Sequence, residues 1–103
     1  MRLYRRIADR KQFFRVLSTT KRSQVATMVL PPGQSSGPYG NDHPASEQVV
    51  YVAEGEGVAI VAGHRRRLAG GDVLVIRAGE RHQITNTGRR LLRTLSVYAP
   101  PAY

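Results

Sequence analysis

The chain has 103 residues, 41% hydrophobic and 22% charged; this is ordinary globular usage in a length that supports one core, and it argues against wholesale disorder or a second domain. Cysteine is absent, which excludes a disulfide scaffold, a thiolate metal site and a cysteine nucleophile and fits a reducing compartment. Sixteen Lys and Arg face seven Asp and Glu, a formal net charge of +9.

The charge is clustered. Residues 1–22 form a basic arm holding Arg2, Arg5, Arg6, Arg10, Lys11, Arg15, Lys21 and Arg22 against Asp9 alone; Arg65–Arg67 and Arg89, Arg90 and Arg93 follow. A polyanion surface is one reading, but no nucleic-acid motif accompanies the charge, so a solvated surface is the expectation. The opening MRLYRRIADRKQFF lacks the apolar centre of a secretory signal, no apolar run reaches the about 20 residues that span a bilayer, and a cytoplasmic location is expected. Its apolar residues leave a gap at 8–12 that breaks a helical stripe.

Strands are expected at 12–17 and 23–30, rich in aromatic, β-branched and aliphatic residues. Residues 31–46 form a long loop with four prolines. The next two strands, 47–53 and 57–62, are read as a hairpin across Glu54-Gly55-Glu56. Gly63-His64 is read as a two-residue turn into 65–69, and Gly70-Gly71-Asp72 as the turn into 73–77. Strands at 81–86 and 91–99 complete the chain, and PPAY ends the last one because proline cannot donate to a ladder. About eight short strands at even spacing, with no capped helical segment, predict a single all-β domain, a sandwich or barrel.

Chemistry falls to three histidines. His64 sits at a turn and is expected in solvent. His43 lies in the long loop, and Gln48 and His82 near strand starts. If the alternate faces bearing Gln48 and His82 both point inward, His43 can meet them from the loop. An imidazole–amide–imidazole set suits a divalent transition metal, although spacing alone leaves surface or hydrogen-bonded histidines equally open. Tyr98 is a further candidate for the pocket if its face of the last strand points in, as is Arg77 at a strand end.

Two stretches carry a family resemblance. GNDHPASEQVVYVAEG, residues 40–55, resembles the first motif of the cupin superfamily: Gly, five residues, His-x-His, three or four residues, Glu, six residues, Gly. Counting back from Gly55, the six-residue gap puts Gln48 on the Glu, His43 on the second His and Asn41 on the first His. GDVLVIRAGERHQITN, residues 71–86, resembles the second motif. Gly71, Gly79, His82 and Asn86 fit its spacing, with Arg77 in place of a proline.

The resemblance implies a jelly-roll barrel (a double-stranded β-helix) spanning residues 1–103 as one cupin domain, with a ligand site inside one mouth. It implies metal binding by His43, Gln48 and His82, with Asn41 close by, and a homodimer. The ion would be Fe, Zn, Ni, Mn, Cu or Co. Gln48 and Asn41 bring no charge, so affinity is expected to be reduced and an anionic ligand preferred. The expected function is a metal-capable small-molecule site with oxygenase, isomerase or decarboxylase chemistry open, since fold does not choose among them. A metal-free binding or sensing module is the alternative, and a polyanion-binding protein the third.

Overall fold

The computed structural model describes residues 1–6 and 12–103. Residues 7–11, part of the basic arm, lie outside the described residues. Eight strands run in order: β1 Phe14–Thr19, β2 Gln24–Leu30, β3 Glu47–Glu54, β4 Glu56–Val61, β5 His64–Ala69, β6 Val73–Ile76, β7 His82–Asn86 and β8 Leu92–Ala99. They form a five-stranded sheet in the order β1-β2-β8-β3-β6 and a three-stranded sheet in the order β5-β4-β7, and the assigned pairings are all antiparallel. The fold is an all-β jelly roll.

Alternation decides which residues face in. β8 buries Leu92, Thr94, Ser96 and Tyr98 and leaves Arg93, Leu95 and Val97 partly open. β3 buries Gln48, Val50 and Val52, and β7 buries His82, Ile84 and Asn86. The apolar members meet between the sheets with Met28, Leu30, Ala59, Leu68 and Ile76. Removing such side chains from water is the main source of stability here, as in most folds.

Two local readings are corrected. First, 47–53 and 57–62 are not a hairpin: β3 pairs with β6 and β8, whereas β4 pairs with β5 and β7. The chain turns a corner from one sheet to the other at Gly55, whose φ is +94° and where a Cβ would lie 2.5 Å from the Leu91 carbonyl oxygen. Only glycine combines that φ with so close a backbone approach. Second, the β4–β5 turn is Ala62-Gly63, with φ of 48° and 80°. Positive φ at both central residues is the type I′ geometry that matches strand twist, and His64 becomes the first residue of β5, exposed. The first strand also starts later than expected, at Phe14.

The loop from 31 to 46 is laced to β7. Ser35 bridges Thr85 and Gly40 bridges His82, the Ser36 amide donates to the Ile84 carbonyl at 2.7 Å, and the Ser36 hydroxyl accepts from the Ile84 amide at 2.9 Å. Loop backbone groups that would otherwise be buried without partners are thereby satisfied. The same lacing carries His43 to the mouth of the barrel.

Candidate metal and ligand site

Three elements deliver the site. Gln48 lies near the start of β3, paired with Tyr98 on one side and Ile76 on the other. His82 opens β7, and its backbone bridge to Gly40 sets the loop three residues before His43. His43, Gln48 and His82 are all buried. His43 Nε2 lies 2.9 Å from Gln48 Oε1 and 3.2 Å from His82 Nε2, so the structure brings these three together.

The hydrogen bonds around the three assign their protons. His43 Nδ1 sits 3.2 Å from the Ser46 carbonyl and His82 Nδ1 3.0 Å from the Glu80 carbonyl. A carbonyl only accepts, so each Nδ1 carries the proton and donates, and a neutral ring then presents Nε2 as a bare lone pair. The Gln48 amide nitrogen donates to Ser96 Oγ at 3.0 Å, which turns Oε1 toward the imidazoles. Two Nε2 atoms and an amide oxygen thus face one another, and in their neutral forms these are atoms that a positive ion can bridge.

These donors fit a divalent ion. Ligands bound at about 2.1 Å stand roughly 3–3.4 Å from one another, and the two separations fall close to that range. The set is nevertheless neutral and short of carboxylates. Among the described residues no group of three His, Cys, Asp or Glu side chains gathers that could hold an ion.

Above these three lies a cavity of about 240 Å³, lined by Phe13, Phe14, Met28, Ile84, Tyr98 and Tyr103, with Ser36, Pro38 and Asp42 at its side. It is smaller than the pockets of about 300–1,000 Å³ that take drug-sized ligands. Tyr98 packs edge-on to His43 with ring centroids 5.1 Å apart. Burial first, and then the neighbouring Tyr103, push the Tyr98 phenol above its ordinary range. Burial also raises Tyr103.

Two sequence candidates stand apart from the cavity. Arg77 is exposed in the β6–β7 turn, where its amide donates to Glu80 Oε1 at 2.7 Å, and it does not line the cavity. Nor does Asn41, half-buried with its Oδ1 enclosed and without a hydrogen-bond partner among the described residues. Ser96, Asp42 and Tyr103 were not singled out from the sequence. Ser96 was legible as a same-face neighbour of Tyr98, whereas nothing in PPAY signals that its tyrosine returns to the mouth.

The sequence matches the cupin-domain family over residues 26–98. The chain belongs to the cupin family. It is 34% identical over 83 residues to a Myxococcus xanthus protein named endoribonuclease YbeY, a match covering 81% of this chain and 27% of that protein. It is 39% identical over 72 residues to the oxalate-binding protein of Thermotoga maritima, covering 70% of this chain and 58% of the relative. The cupin thus spans less than two thirds of either relative. Among solved structures, BH2720 from Bacillus halodurans superposes with a TM-score of 0.88 at 29% identity, covering 93% of this chain and 76% of that one. No helix among the described residues is long and apolar enough to cross a membrane.

Proposed function

We propose that this cupin binds a small anionic molecule through a divalent metal ion held by His43, Gln48 and His82. The observation that carries the reading is that His43 Nε2 lies 2.9 Å from the Gln48 amide oxygen and 3.2 Å from His82 Nε2. Neutral donors leave a divalent ion its full charge, which favours an anion in the remaining coordination positions. No lysine or arginine lines the cavity among the described residues, so the ion alone supplies the charge that would hold an anion. A compact carboxylate suits the volume, and the Thermotoga relative is named for binding oxalate. When bound, the ion would supply Lewis-acid polarisation of a carboxylate or carbonyl oxygen. The chain's own residues orient the donors: Ser96 holds the Gln48 amide, the Ser46 and Glu80 carbonyls hold the imidazole rings, and aromatic side chains line the cavity above them.

Calorimetry with Mn²⁺, Co²⁺, Ni²⁺ and Zn²⁺, each with and without oxalate, tests this. The expected result is weak metal binding alone, tighter binding with oxalate, and no oxalate binding in chelator. Oxalate binding to metal-free protein, or no metal binding at millimolar ion, would overturn the reading.

A homodimer is proposed as well, through the outer face of the five-stranded sheet. Tyr51 pairs across strands with Val73 and Val49 with Val75, and Tyr51, Val73 and Val75 remain 44%, 62% and 55% exposed. Contiguous apolar surface of this kind marks association. Sedimentation equilibrium at micromolar concentration is expected to give twice the chain mass; a monomer would reject the pairing.

A further inference from the structure

Gln24 is 1% exposed, and its carboxamide is fully engaged. The amide nitrogen donates to Thr19 Oγ1 at 2.9 Å and to the Tyr103 carbonyl at 2.7 Å, while Oε1 accepts from the Ala102 amide at 3.1 Å and the Tyr103 amide at 2.9 Å. Both donors and both lone pairs of the group are used, three of the four bonds on the main chain of residues 102 and 103. A buried amide so completely satisfied holds its partners in one place, because releasing them leaves polar atoms unpaired in the interior.

What is held there is a wall of the cavity. The Tyr103 ring lies 4.9 Å from the Phe14 ring, 5.1 Å from Tyr98 and 6.5 Å from His43, centroid to centroid, and it lines the cavity above the histidines. Tyr103 as a whole is 56% exposed, so it stands between the cavity and solvent.

We infer that Tyr103 is the specificity-determining residue at the mouth, setting the size of molecule that reaches His43, Gln48 and His82, and that Gln24 is its positioning residue, acting only through the backbone of residues 102 and 103. The inference rests on reading the cavity as a ligand site but not on its metal.

The test is therefore run in chelator, with the histidines as reporters. Diethyl pyrocarbonate, a small reagent, and p-bromophenacyl bromide, a bulkier planar one, are each reacted with wild type, Tyr103→Phe, Tyr103→Ala and Gln24→Ala, and modification of His43 and His64 is followed by peptide mass spectrometry. Tyr103→Ala and Gln24→Ala are expected to speed His43 modification about tenfold by opening the mouth, with a larger gain for the bulkier reagent. Tyr103→Phe is expected to match wild type, and exposed His64 to react equally in all four. Gln24→Leu, close in volume but unable to bond residues 102 and 103, replaces Gln24→Ala if that variant fails to fold, and is expected to behave like it. Wild-type rates in Tyr103→Ala, or equal gains for both reagents, would overturn the role of Tyr103. A fast Tyr103→Ala beside a wild-type Gln24→Ala would overturn the role of Gln24. Loss of metal binding in the calorimetry would leave all these outcomes intact.

Discussion

The two ends of this barrel use buried amides in opposite ways. At the end floored by Leu30, Val52 and Leu92, Asn86 is 1% exposed and wholly committed to backbone: its amide nitrogen donates to the Leu30 carbonyl at 2.8 Å and the Arg90 carbonyl at 2.7 Å, and its Oδ1 accepts from the Gly88 amide at 2.8 Å. At the other end Gln48 gives its nitrogen to Ser96 and turns its oxygen to the His43 imidazole, 2.9 Å away, rather than to backbone. A polar group closed on backbone stabilises the fold; one turned to other side chains in a cavity wall is the group that the proposed function puts to use. Both belong to the motif stretches, and only their hydrogen bonds separate the two roles.

That contrast can be broken at either end. Asn86→Ala strips three backbone groups of their partner and should destabilise the metal-free protein by about 3 kcal/mol, read from urea unfolding; a loss near that of His82→Ala, expected below about 1 kcal/mol, would erase the distinction. His82→Ala should instead weaken divalent-ion affinity by about 100-fold or more by removing one of three donors, while folded Asn86→Ala should keep an ion affinity near wild type. Gln48→Glu sharpens the comparison by adding a formal charge to the open end. It should tighten metal binding by roughly tenfold and reduce the gain from added oxalate, since the ion is then partly neutralised; unchanged affinity would place the side chain outside the coordination set.

The smallest effect is in alkali. Burial raises the Tyr98 phenol above its ordinary value, so the folded chain keeps a proton that the unfolded chain releases near pH 10. The contribution is fully present below about pH 10 and is lost as pH rises beyond it. The urea midpoint should fall between about pH 9 and pH 11, and fall less in Tyr98→Phe. Equal slopes would show that this phenol does not feel its burial.

The strands were largely legible because alternation writes the inner face directly into β3, β7 and β8, whereas His43, Gln48 and His82 were singled out by the resemblance to the two motifs and not by their spacing alone. What failed was partner choice. Glu54-Gly55-Glu56 has the composition of a turn, and nothing local says that the strands on either side join different sheets; that depends on β6, β7 and β8, encoded later in the chain. Ala62 was missed as a turn residue because alanine rarely takes positive φ, and here the type I′ register required it. Arg77 and Asn41 were placed near the cavity by the motif alignment, but the first turns out to solvent and the second lies beside the cavity without lining it. Tyr103 escaped notice because its position depends on Gln24, 79 residues away in the chain.

The antiparallel bridge between Gly40 and His82 is the last of a row of pairings along β7 that begins where the Gly33 amide donates to the Asn86 carbonyl and passes through Ser35 and Ser36. A residue added between Gly33 and Gly40 would break that row, and one inserted between Gly40 and Gln48 would pull the imidazole pair apart. The loop therefore behaves as a ninth rail of the scaffold, and its length is as fixed as that of the strand it rides on.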